Sequence, residues 1–184
     1  VGNIDLSQFK RWYEQAGTPH LAVKESFAEG SLTLTIKQSC PDTPNQIGKK
    51  PFHMPILMGL VGASGESVEL QNLTITSAAD FAIRHAGESL LLEIRDEITE
   101  IKFSGLSAGA AKPVVSFLRE FSAPVKVSHE RADSELAFLV ENDRDGFVRW
   151  DALQTLWVKH FDDKQNLNGA DPIQTLAQVA KDAI

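Results

Sequence analysis

A chain of 184 residues, 42% apolar and 23% charged, has room for one ordinary domain or for a small domain plus part of another, and carries too much apolar character to stay disordered. Its net charge of -7 comes from dispersed acids and bases, which argues against nucleic acid and anionic membrane as partners. No run approaches the roughly 18 apolar residues of a membrane span, and the single Cys40 can neither close an internal disulfide nor hold zinc alone, so a reducing, cytoplasmic setting is expected.

Asp5 and Gln8 have capping-box spacing, and Leu6, Phe9, Tyr13 and Ala16 recur at helical intervals until Gly17-Thr18-Pro19, which predicts an amphipathic helix over 5–16. From 20 to 38 the period becomes two. Leu21 and Val23, a Glu29-Gly30 turn, and then Leu32, Leu34 and Ile36 predict a β-hairpin with one buried face. Residues 52–61 read as a strand that Pro55 places at an edge or a bulge. Further short apolar runs lie at 67–70, 72–76, 88–94 and 98–103, the last two joined as a hairpin by Arg95-Asp96-Glu97. Short strands without intervening helices predict an antiparallel sandwich.

After Pro124 the pattern turns helical. Asp133 is placed to cap a helix carrying Leu136, Leu139 and Val140. Phe147, Trp150, Leu153, Trp157 and Phe161 mark a longer one, and Asp171-Pro172 with Gln174 starts a third. The expected fold is mainly β with flanking helices: an immunoglobulin- or fibronectin-like antiparallel β-sandwich followed by an α-helical segment.

No residue is assigned a catalytic, metal-binding or substrate-binding role. His129-Glu130-Arg131-Ala132-Asp133 begins like HExxH but puts Asp where a second imidazole must face the same zinc ion, so His129 and Glu130 are expected as polar surface. Gly105-Leu106-Ser107-Ala108-Gly109 matches GxSxG, and Asp133 and His160 follow in hydrolase order, but the elbow needs a parallel strand entering a helix. Glu141, Asp143, Asp145 and Gly146, with Val148 behind them, start like an EF-hand loop that ends on Ala152 instead of Glu. Asn72-Leu73-Thr74 is a sequon that matters only in a secreted protein. His20, His53, His85, His129 and His160 lack ligand spacing, and Trp12, Trp150 and Trp157 are expected to fill cores.

Four strings then matter together: Asp5-Leu6-Ser7-Gln8-Phe9-Lys10-Arg11-Trp12-Tyr13, Ala16-Gly17-Thr18-Pro19, Pro51-Phe52-His53-Met54-Pro55 and Phe121-Ser122-Ala123-Pro124-Val125-Lys126, followed by Phe147-Val148-Arg149-Trp150-Asp151-Ala152. In order and spacing the chain resembles the bacterial-type aminopeptidase N family of zinc metallopeptidases. The resemblance implies a four-domain parent, with residues 1–18 ending its catalytic domain, 19–130 forming a β-sandwich domain and 131–184 beginning a C-terminal helical domain. It implies that the zinc ligands, the amine-recognition motif and the catalytic tyrosine lie upstream; Tyr13 does not match the last of these. No cofactor is then expected within these residues, against one zinc ion in the parent. The partners would be the parent's own domains, with peptides only for the whole enzyme. Pro113-Val114-Val115-Ser116 departs from the family's Pro-x-Pro-Ser pattern. A start at Val1 without methionine and an end at Ile184 inside an apolar run fit an internal fragment, non-catalytic by itself. Two other readings are a stand-alone sandwich binding module and a small serine hydrolase using Ser107.

Overall fold

Strands β1 (His20–Ala28) and β2 (Ser31–Ser39) form the long hairpin that the alternation predicts, turning at Glu29 and Gly30, both at positive φ. Two positive φ values in a two-residue loop match the strands' right-handed twist, and Gly30 meets that requirement without a Cβ penalty. The computed structural model describes residues 5–77, 83–106 and 111–165. Along this hairpin Leu21, Val23, Leu32, Leu34 and Ile36 are buried.

The remaining strands are β3 (Met54–Val61), β4 (Thr74–Ser77), β5 (Ile83–Ala86), β6 (Ser89–Ile94), β7 (Ile98–Ser104), β8 (Val114–Phe117) and β9 (Lys126–His129). They form a five-stranded sheet in the order β4-β7-β2-β1-β9 and a four-stranded sheet in the order β5-β6-β3-β8. Leu34, Ile36, Ile101 and Phe103 from the first sheet share one buried cluster with Met54, Ile56, Met58, Leu90 and Leu92 from the second. This is a sandwich with the core between its sheets.

Several expectations are corrected. Strands β6 and β7 do not pair; Arg95-Asp96-Glu97 carries the chain from one sheet to the other. Gln38 makes that crossing possible. Its buried amide donates to Asp96 O (2.8 Å) and Phe52 O (3.1 Å) and accepts from Phe52 N (2.8 Å), so backbone groups at the crossing are satisfied. Strand β9 runs parallel to β1, so the sandwich is not wholly antiparallel. Pro55 sits in an interior strand, yet β8 pairs β3 only from Met58 to Val61. Backbone nitrogens at 55 and 57 share a side, and Leu57 N donates to Ser122 Oγ at 2.9 Å, so the missing N–H of Pro55 falls where β3 is locally an edge.

The predicted helix over 5–16 shrinks to the single turn α1 (Arg11–Glu14). Its capping box does not form. Asp5 accepts from Ser7 N, and Gln8 reaches away to Pro51 O and Arg95 O. Helices α2 (Asp133–Asn142) and α3 (Gly146–Gln165) bury Leu136, Leu139, Val148, Ala152 and Leu156 against Val61 at the end of β3. The boundary residue of α2 is Ala132, and Asp133 pairs instead with Lys159 Nζ at 2.9 Å. The buried face of α3 is rotated from the predicted one, leaving Trp150 56% exposed. The third predicted helix, from Asp171, lies outside the described residues.

A Cβ added at Gly59 would overlap the Arg119 guanidinium, which lies buried across β3. Gly59→Ala is therefore expected to destabilise the chain by about 1–3 kcal/mol, read as a lower urea midpoint.

Candidate functional site

The polar residues concentrate at two joints, one where the chain enters the sandwich and one where it leaves. At the entry, α1 and its approach present two faces. On one, Gln8 donates to Arg95 O (2.6 Å) and Pro51 O (3.3 Å), Arg11 donates to Pro51 O, and Trp12 Nε1 donates to His53 O (2.9 Å) while its ring packs on Phe52 at 4.8 Å. Gln15 and Lys50 exchange bonds of 2.9 and 2.8 Å, and Gln46 bonds both Ala16 N and Glu14 O. On the other face Leu6 is exposed and Tyr13 is 85% exposed, while the Phe9 ring meets His53 edge-on at 6.3 Å. The first string that carried the family resemblance thus clamps onto the third.

At the exit, Leu118, Glu120 and Phe121 all adopt left-handed φ, and this tight bend turns Arg119 inward. Its Nε donates to Ser116 Oγ (2.6 Å), Nη1 to Ser89 Oγ (3.2 Å), and Nη2 lies 3.6 Å from Asp143 Oδ1 in the turn between α2 and α3. Two of the EF-hand-like acids, Asp143 and Asp145, are occupied in shaping that turn. Asp143 accepts from Asp145 N, and Asp145 accepts from Val148 N and Glu120 N, which satisfies the start of α3.

Beside this bend lies a cluster of charged side chains. Glu25 occupies the inward slot that follows Leu21 and Val23 on β1, and its Oε1 is 2.6 Å from His129 Nε2. Lys112 bridges Glu25 (2.8 Å) and Glu135 on α2 (2.6 Å). Burial alone would push the Glu25 carboxyl up, but hydrogen bonding by His129 and Lys112 holds it at about 2. Burial, then hydrogen bonding with opposite effect and the nearby Arg131 charge, leave His129 below its usual value. Arg131 donates to His129 Nδ1 through Nε (3.1 Å) and Nη2 (2.8 Å), and Nη2 also meets Val115 O. Guanidinium only donates, so Nδ1 is an acceptor and the proton of the neutral ring sits on Nε2.

The expectation that His129 is plain polar surface is therefore wrong: only 6% of its side chain is exposed. Zinc does not fit the segment, since both ring nitrogens are engaged, Glu130 is exposed and Asp133 is paired to Lys159. Among the described residues no three His, Cys, Asp or Glu side chains converge to hold a metal ion. Ser107 lies outside the described residues, and His160 sits half-buried on α3. His53 pairs with Glu93 at 3.2 Å, and His20 with Ser128 at 2.7 Å. A groove of about 510 Å³ runs between β9 and α3, rimmed by Phe121, Phe147 and Trp150. Sequence reasoning missed Glu25, Gln38, Lys112 and Arg119. The signal for the first two was present: each is a polar residue at the end of an apolar alternation.

Residues 17–130 match the family described as a domain of unknown function (DUF3458) with an Ig-like fold, and residues 133–183 match a second, described as the DUF3458_C ARM repeats. The chain belongs to the first of these families. It is similar to the aminopeptidase N of Escherichia coli strain K12, at 38% identity over 158 residues, 85% of this chain and 17% of that protein. The aminopeptidase N of Haemophilus influenzae is 34% identical over 163 residues, 86% of this chain and 17% of that protein. A crystal structure of Legionella pneumophila aminopeptidase A in complex with aspartic acid superposes with a TM-score of 0.67 at 25% identity, covering 91% of this chain and 16% of that one. The resemblance to the aminopeptidase N family stands, and the chain spans a small part of those relatives. Among the described residues no helix is long and apolar enough to cross a membrane.

Two outcomes follow from the charged cluster. Lys112→Met leaves Glu25 and Glu135 facing each other and is expected to cost about 1–3 kcal/mol in chemical denaturation. Because Glu25 is held at about 2 against an ordinary 4.5, its contribution is complete above pH 4.5 and lost as pH falls toward 2. The stability difference between the chain and Glu25→Gln should shrink as pH falls from 4.5 toward 2.

Proposed function

We propose that the chain is the non-catalytic spacer of a zinc-dependent aminopeptidase N that removes N-terminal amino acids from peptides. In this reading residues 1–18 close the catalytic domain, 19–130 form the sandwich and 131–184 open the helical domain. The observation that carries it is the pair of two-faced joints. Each flanking element is fixed to the sandwich by one face and offers large exposed side chains outward: Leu6 and Tyr13 on the entry segment, and Trp150, Val158 and Phe161 on α3.

The joints also sit at different ends of the sheet. The entry segment bonds to Pro51, His53 and Arg95, where β3 begins and β6 ends. Arg144 in the α2–α3 turn pairs with Glu88 at 2.6 Å, where β6 begins. A rigid body gripped at both ends fixes the separation and angle of what is attached to it. Large exposed apolar side chains grouped on one face fit contact with further protein. Zinc would belong to the preceding catalytic domain, and peptides would be partners of the whole enzyme in the cytoplasm.

Substituting Leu6→Ser and Tyr13→Ser together tests this reading. In the isolated chain the pair should shift stability by no more than about 0.5 kcal/mol. In the full-length enzyme it should lower both the melting temperature and the aminopeptidase activity severalfold. Unchanged full-length behaviour would overturn the spacer role, as would zinc-dependent hydrolysis of aminoacyl amides by the purified chain.

A further inference from the structure

His129 is placed where one proton would change what the exit joint can hold. It ends β9, and the side chains around it come from every element that meets there. From β1 it faces Glu25, from the segment before β8 Lys112, and from the residues after β9 Arg131. Glu135 on α2 reaches it through Lys112, Asp151 on α3 acts on Arg131, and β8 contributes the Phe117 ring at 6.5 Å.

The ring nitrogens are not equivalent. Nε2 lies 2.6 Å from the Glu25 carboxylate, while Nδ1 receives two guanidinium hydrogens. A second proton must go to Nδ1. It would set donor against donor and cation against cation, so Arg131 would have to withdraw. Arg131 is no passive neighbour. Its Nη2 holds Val115 O on β8, and its carbonyl accepts from Lys159 Nζ of α3 at 2.7 Å, the same ammonium that pairs with Asp133 at the start of α2. The guanidinium thus ties β9 to β8 and faces the charges of Glu135 on α2 and Asp151 on α3, while the main chain of the same residue takes the Lys159 bond.

We propose that His129 is a proton-operated catch at this joint: a proton on Nδ1 expels Arg131 and loosens α2 and α3 against the sandwich, while the sheets stay folded. The sheets keep their own buried cluster, which is separate from the helical cluster around Leu136, Leu139 and Val148, so the joint can open without dissolving the core. The sign follows from the neutral ring being the docked form. Because burial, outweighing the Glu25 bond, keeps His129 below its usual 6.5, docking is complete at neutral pH and is lost as pH falls below 6.5. The inference deepens the spacer reading, on which its biological meaning rests, by making the exit joint a hinge.

Hydrogen exchange on this chain at pH 7.5 and pH 5.5, corrected for intrinsic rates, tests the catch without the parent enzyme. Amides of α2 are expected to lose at least about tenfold more protection than those of β2, and His129→Gln should erase the difference. In the unmodified chain, the midpoint of α2 opening should coincide with the imidazole titration of His129 followed by NMR, which keeps the test open should the variant not fold. Parallel loss in α2 and β2, no loss in either, a response kept in His129→Gln, or a midpoint away from the imidazole titration would each overturn it. None of those results bears on whether the full-length enzyme needs its outward exposed side chains.

Discussion

A guanidinium removed from water must be met by acceptors or it unfolds what surrounds it. Arg119 imposes that constraint here. It lies buried on β3 at the one residue, Gly59, that leaves its plane room, and Ser116, Ser89 and Glu88 O supply neutral acceptors from the sandwich. The balancing charge comes from Asp143, which is buried and belongs to the helical segment. The sandwich thus carries a cation whose counter-ion sits on the next element, and the left-handed bend at Leu118, Glu120 and Phe121 is the backbone arrangement that turns Arg119 inward.

The second polar system works from the same side of the molecule. Glu25 takes an inward position that alternation would assign to an apolar residue, and it is tolerated because His129 and Lys112 meet it. Lys112 then passes the connection to Glu135 on α2. Apolar contact between Val61 and the helices provides area, but area is non-directional. The Arg119–Asp143 charge pair and the directional bonds of Lys112 to Glu135 and of Lys159 to Arg131 O set where the helices sit. At the entry, hydrogen bonds from Gln8, Arg11, Trp12 and Gln15 to backbone carbonyls do the same for a segment with only one helical turn of its own.

Much of the sandwich was legible because strand period and turn chemistry are local. The β1–β2 hairpin and the β3, β6 and β7 runs follow from apolar alternation, and Glu29-Gly30 marks its own turn. What was not legible depends on partners distant in sequence. Nothing between Leu90 and Phe103 distinguishes a hairpin from a crossing between sheets; the distinction rests on Gln38, some 58 positions from the Asp96 carbonyl it satisfies. Strand β5 is too short and too exposed to announce itself. The rotation of α3, which leaves Trp150 outside, reflects packing against Val61 and α2 over the helix's own strongest apolar stripe. The charged cluster was hidden for a related reason. His129 and Glu130 drew attention as a broken zinc motif, although the informative residue was Glu25, over a hundred positions away.

The account depends on the sandwich and the helical segment being joined through a buried charge pair rather than merely resting on each other. A double-mutant cycle on Arg119→Met and Asp143→Asn, with unfolding free energies from urea titration, measures that directly. A coupling of about 1–3 kcal/mol is predicted. Effects that add to within about 0.3–0.5 kcal/mol would contradict it, and would leave apolar contact alone to hold the joint.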